Sequence, residues 1–172
     1  MNRLKNLGER ENGIQTSATG TMSTFLHSRE FPTSPEAVFE AIQDPLRLAR
    51  WWGPSGFSNS FETFEFHPGG QWRFTMIGPD GTQYPNQSEF LEIVPGSRVR
   101  IRHVNLPHFD LSISLKPSPA GTLLTWVAHF EDQEFAEKLR AFLETANEQN
   151  LDRLTEEVRP PVNDLPRDSA ES

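Results

Sequence analysis

His103 is the side chain best suited by type and context to do chemistry. It closes the run Val99 Arg100 Ile101 Arg102 His103, where apolar and charged residues alternate, so a β-strand would put the imidazole on the face of Val99 and Ile101. An imidazole titrates near neutral pH and is the usual proton carrier in acid–base catalysis. The plainer reading of a histidine on an apolar face is a hydrogen-bonded wall residue. Glu89 and Asp110 are candidate pocket carboxylates, although a solvated strand face accounts for both. His129 alternates with Thr125 and Val127, which leaves inward and outward placement open.

Other chemistries lack their residues. His67, His103, His108 and His129 do not have the close helical spacing of a metal site, so no metal is expected. Pro68 Gly69 Gly70 reads as a turn between strands, not a strand-to-helix phosphate cradle, and no cofactor is expected. The 172 residues include no cysteine, which excludes a disulfide framework, a thiolate zinc site and a cysteine nucleophile, and fits a cytoplasmic location. A net charge of -8 with no basic run argues against a nucleic-acid partner. No stretch approaches the roughly 20 apolar residues of a membrane span, and residues 1–20 lack the apolar run of a signal peptide.

The elements that would position these residues follow from capping and periodicity. Ser34 and Pro35, with Glu36 in the first turn, start a helix whose stripe is Val38, Phe39 and Ile42. Asp44 and Pro45 repeat the signal for a second short helix that ends at Trp51 Trp52 before the turn Gly53 Pro54 Ser55 Gly56. The paired tryptophans either line an opening or plug the core. Strands are predicted over 24–31, 57–67, around Trp72, Phe74 and Met76, and over 88–94, 99–103, 109–115 and 122–130. Short turns join most of them, so the sheet is antiparallel, with Arg98, Arg100 and Arg102 forming one wet, cationic face. A long helix over 132–158 carries Phe135, Leu139, Phe142, Leu143, Ala146, Leu151, Leu154 and Val158 inward, and Glu134, Glu137, Glu144, Glu148 and Arg153 outward. The folded unit is therefore expected over 23–158, between a flexible leader (1–22) and a disordered tail (159–172).

This order of elements carries six motif blocks: Ser34 Pro35 Glu36 Ala37 Val38 Phe39, Asp44 Pro45, Trp51 Trp52 Gly53 Pro54, Pro68 Gly69 Gly70 Gln71 Trp72 Arg73, Glu92 Ile93 Val94 Pro95, and Leu151 Asp152 Arg153 Leu154, together with Asp80 Gly81. With them the chain resembles the START-like, or SRPBCC, superfamily. Within it the chain is similar to the polyketide-cyclase-like branch named for homologues of the activator of the 90-kilodalton heat-shock protein ATPase. The resemblance implies an α+β helix-grip fold: a curved seven-stranded antiparallel sheet around a long C-terminal helix, with two short helices after the first strand. It also implies a cavity between sheet and helix for a small hydrophobic or aromatic molecule. On the early and middle elements its expected lining is Trp51, Trp52, Trp72, Phe74, Met76 and Phe90. Further along it is Ile101, His103, Phe109, Trp126, Leu143 and Asn147.

Two departures from the branch bear on that wall. Ala146 Asn147 stands where many members have Gly-Trp, and Ser88 stands where a glycine is common. An amide in place of an indole removes apolar bulk and adds a group that needs a partner if buried. Asn150 lies on roughly the same side of the helix. Three readings of function follow: a noncatalytic binder of a small hydrophobic molecule, a cyclase, hydrolase or lyase with His103 as acid or base, and a co-chaperone acting on the heat-shock protein through its surface. A monomer or weak homodimer is expected.

Overall fold

The computed structural model describes residues 23–160; the expected leader at 1–22 and all of the expected tail beyond Pro160 lie outside the described residues. Seven strands run as β1 (Thr24–Phe31), β2 (Ser58–Phe64), β3 (Gln71–Ile77), β4 (Gln83–Val94), β5 (Arg98–His103), β6 (Phe109–Ser118) and β7 (Gly121–Phe130). They form one antiparallel sheet in the order β1-β7-β6-β5-β4-β3-β2. Between β1 and β2 the chain makes helices α1 (Pro35–Gln43) and α2 (Pro45–Trp51), and after β7 it makes α3 (Gln133–Lys138) and α4 (Arg140–Val158). This is the helix-grip arrangement, with a curved sheet around the C-terminal helix. Register shifts between Phe61 and Thr63 in β2, and between Phe90 and Glu92 in β4, supply local bends that flat pairing lacks.

The early helices form where the caps predict. Ser34 Oγ accepts the Ala37 N–H at 3.2 Å, satisfying a donor that has no partner within the helix. Asp44 serves two helices: its own N–H closes α1 on the Glu40 carbonyl, and its carboxylate accepts the Leu46 N–H at 3.0 Å to open α2. The corner is fixed from inside by Trp51, whose Nε1 donates to the Ala41 carbonyl at 2.8 Å. A second ring cluster lies beneath it, where Trp72 stacks on Phe74 at 4.3 Å and lies parallel to Phe90 at 5.9 Å.

Three expectations change. The C-terminal helix is not continuous: Leu139 (φ -104°, ψ 12°) leaves the helical region and divides α3 from α4. Phe142, expected in the buried stripe, is 63% exposed. After the break the inward stripe of α4 runs through Leu143, Asn147, Asn150, Leu151 and Leu154, and Phe142 stands about 100° off it. β4 begins at Gln83, before the predicted Ser88. Its first five residues pair with β3 alone, since β5 joins only at Ser88 opposite His103; that open side accommodates Pro85, which has no N–H to donate.

Candidate functional site

A cavity of about 290 Å³ lies between the inner face of the sheet and α4. Cross-strand partners share a face, so the register places its sheet-side residues: Asn86 opposite Phe74, Ser88 opposite both Trp72 and His103, and Ile101 opposite Leu111. The roof comes from α4 through Leu143, Ala146, Asn147 and Asn150, and the near wall from Trp52, Gly53 and Pro54. Among the described residues that line it, none is an aspartate, glutamate, lysine or arginine. A wider groove of about 620 Å³, bounded by Leu106, Pro107, His108, Glu131, Asp132 and Phe135, adjoins the cavity and shares Pro107 and Phe135 with it. Leu106, 79% exposed, stands at that rim.

Of the twelve residues expected to line a cavity, the structure brings Trp52, Phe74, Met76, Ile101, His103, Phe109, Trp126, Leu143 and Asn147 together around this one. Trp51, Trp72 and Phe90 stand outside its wall. They are at most 1% exposed and are closed off by their own neighbours: the Ala41 carbonyl for Trp51, and Phe74 and the Phe64–Phe66 pair for the other two. Alternation identifies the face of a strand but not how far along it the packing closes. Pro107, Leu111, Ala128 and Phe135 also line the void, and so do Asn86 and Ser88 from the strand segment with weak sequence signal.

His103 is 5% exposed and stacks on Phe109, with ring centroids 4.6 Å apart. Its Nδ1 lies 2.7 Å from the Pro107 carbonyl and its Nε2 lies 2.8 Å from Asn86 Oδ1. A carbonyl can only accept, so Nδ1 carries the proton of the neutral ring. Nε2 then gains a hydrogen bond when the ring takes a second proton or the Asn86 amide turns. Burial pushes the imidazole below its ordinary pKa, against the pull of the Pro107 carbonyl and with a small push from His108. Glu89 and Asp110 do not join it. Glu89 lies in a shallow outer depression with Gln71 and Arg73, and Asp110 faces Arg102 and His129 on the outer surface. His129, left undetermined by alternation, points outward and its Nδ1 meets Thr24 Oγ1 at 2.9 Å. Among the described residues no group of three metal-ligating side chains converges.

The turn after Trp52 is held by Arg153, which the sequence placed outside, and by Asn150, which it left open between the cavity wall and the surface. Arg153, expected outside, turns inward: its Nη1 donates to the carbonyls of Trp52, Gly53 and Pro54 at 3.0 Å each, and Nη2 to those of Arg50 at 2.6 Å and Phe57 at 2.9 Å. Burial lowers its pKa. Asn150, 6% exposed, accepts the Gly53 N–H at Oδ1 and donates from Nδ2 to the Trp51 carbonyl. Gly53 sits at φ +97°, a backbone conformation that side chains rarely adopt, so this turn requires glycine. The expected cationic face of β5 is largely neutralised: Arg98 and Arg100 reach Glu92 at 3.5 and 3.6 Å, and Arg102 reaches Asp110 at 3.9 Å.

The family described as activator of Hsp90 ATPase homolog 1-like protein matches residues 32–159. Among solved structures, the chain is similar to a protein of Chromobacterium violaceum at 26% identity, covering 81% of this chain and 99% of that one with a TM-score of 0.71. It is also similar in fold to a protein of Arthrobacter aurescens at 24% identity (88% of this chain, 95% of that one, TM-score 0.75). The AHSA1 protein of Silicibacter pomeroyi aligns at 23% identity over 78% of this chain and 96% of its own, with a TM-score of 0.66. Among curated proteins, none matches the chain.

Proposed function

The chain belongs to the family of activator of Hsp90 ATPase homologue 1-like proteins, and from that membership we propose that it binds a small hydrophobic molecule in the cavity between the sheet and α4, without turnover of its own. The observation that carries this reading is the wall: a void of about 290 Å³ lined by rings and aliphatic chains, with no formally charged carboxylate, ammonium or guanidinium among its described residues. The volume lies at the lower end of the roughly 300–1,000 Å³ typical of small-molecule pockets, which fits one or two fused rings. His103 fits a wall role better than an acid–base role. Both ring nitrogens face groups of the protein, burial disfavours the charged form, and among the described residues no carboxylate lines the cavity beside it to complete a Ser–His–carboxylate set. The co-chaperone reading has less to rest on, since the β5 arginines that would have made a cationic docking face have carboxylates beside them.

A thermal-shift screen of the full chain against aromatic and lipid-like compounds tests the proposal. A compound at about a hundred times its dissociation constant stabilises the fold by about 2.7 kcal/mol, a rise of roughly 5–10 °C in a domain of this size. Ala146→Trp, which places an indole in the roof of the cavity, should remove that rise. An unmoved midpoint across the panel, or a shift that survives the filled cavity, overturns the reading.

A further inference from the structure

Apart from the indoles, five polar side chains line the cavity: Asn86, Ser88, His103, Asn147 and Asn150. Three of them already face groups of the protein. Asn150 spends its amide on the backbone of Trp51 and Gly53; His103 faces the Pro107 carbonyl and Asn86; Asn86 also donates from Nδ2 to the Tyr84 carbonyl at 2.8 Å. Ser88 and Asn147 have no hydrogen-bond partner among the described residues. Ser88 is only 6% exposed, and its register opposite Trp72 and His103 turns its hydroxyl to the inner face. Asn147 lies on the inward stripe of α4 one turn after Leu143. A hydroxyl or amide at the cavity wall without a protein partner favours a guest that supplies one over a guest that does not.

Resting on the cavity-binding reading, we infer that Ser88 and Asn147 select an uncharged aromatic molecule carrying a hydroxyl or carbonyl group. The wall's lack of formal charge sets the other limit. A carboxylate or phosphate would be desolvated with no lysine or arginine to meet it, because Arg153, the nearest guanidinium to the turn, already donates to five backbone carbonyls.

The test is a tryptophan-fluorescence titration of the full chain at pH 7 with three molecules of one shape: 2-methylnaphthalene, 2-naphthol and 2-naphthoate. The expected order puts 2-naphthol about tenfold tighter than 2-methylnaphthalene, with 2-naphthoate the weakest. In Ser88→Ala combined with Asn147→Leu, the preference for the hydroxyl should vanish while 2-methylnaphthalene still binds. Equal binding of the first two molecules by the unmodified protein, tightest binding of 2-naphthoate, or a preference that survives the double variant overturns this inference and leaves the cavity reading standing. Failure of both neutral molecules to bind overturns the two together. The unmodified protein decides the order alone, so the result does not depend on the variant's folding.

Discussion

The two ends of the space between sheet and helices are built from the same kind of residue and come out differently. At the α2 end, Trp51, Trp72, Phe74 and Phe90 pack with almost no exposed surface, and Trp51, Asn150 and Arg153 tie the backbone of α1, the Trp52–Phe57 turn and α4 together. At the α3 end, Phe109, Phe130 and Phe135 surround a void, and the helix above them is broken at Leu139. Aromatic content does not decide which end is solid. The difference lies in what the side-chain hydrogen bonds to backbone connect: at one end they join α1, the turn and α4 to one another, and at the other they stay within the strand ends, loop and helix cap, as between His103 and Pro107, Asn105 and Pro85, and Asp132 and Phe135. A closed end that holds the shape and an open end that admits a guest is the division of labour a binding cavity requires.

Truncation should expose the contrast most strongly. Trp72→Ala removes a ring with no exposed surface from a packed cluster and is expected to cost about 3–5 kcal/mol. Phe135→Ala removes a half-buried ring beside an existing void, where no new cavity has to be opened, and should cost less than half as much. Urea denaturation of the two variants against the parent measures both. Equal losses would mean that the α3 end is as tightly packed in solution as the α2 end.

A smaller loss should follow from Arg153→Lys. The planar guanidinium divides its N–H groups among five carbonyls, whereas an ammonium has three donors at a single point and cannot span them. The unpaired carbonyls should cost about 2 kcal/mol, measured in the same denaturant. Because the turn they belong to forms the near wall, the cavity should also lose affinity for 2-naphthol. A lysine variant as stable as the parent would show that charge alone suffices and that the geometry of the lock is incidental.

The fold was legible where local signals agree with the tertiary outcome. Ser34 with Pro35 and Asp44 with Pro45 announce two helix starts whatever surrounds them, and the alternation through Leu111, Ile113 and Leu115 or through Leu124, Trp126 and Ala128 leaves one face to bury. The site was legible only as a face. Trp52 and Trp72 read alike in sequence, yet one reaches the void and the other is sealed by Phe74 and Phe90, because closure depends on rings contributed by other strands. Arg153 was misread for a related reason. A charged residue on an amphipathic helix looks solvated unless the carbonyls that converge on it are known, and those belong to a turn about a hundred residues earlier. Asn86 lay in a polar, proline-containing segment whose pairing on one side only gives no alternation strong enough to read.

The smallest effect expected is on pH dependence, and it separates the two ends by window. His103, at the open end, is held below its ordinary pKa by burial, so the unfolded chain takes up a proton that the folded one resists. Its contribution to stability is present above the unfolded value near 6.5 and is lost as pH falls through that value toward the folded one. Glu157, at the closed end, is held below the usual carboxylate range by its hydrogen bond from Arg50, with Arg47 adding to it. That contribution is present above the unfolded value near 4.3 and is lost only as pH falls below it. Melting temperature should therefore decline in two steps between pH 7 and 3. His103→Gln should flatten the upper step and leave the lower one, and Glu157→Gln should shrink the lower step, to which Glu148 beside His27 and Arg29 also contributes, and leave the upper one. If His103→Gln left the upper step in place, the step would belong to another titrating group and the burial of His103 would not shape the pH dependence.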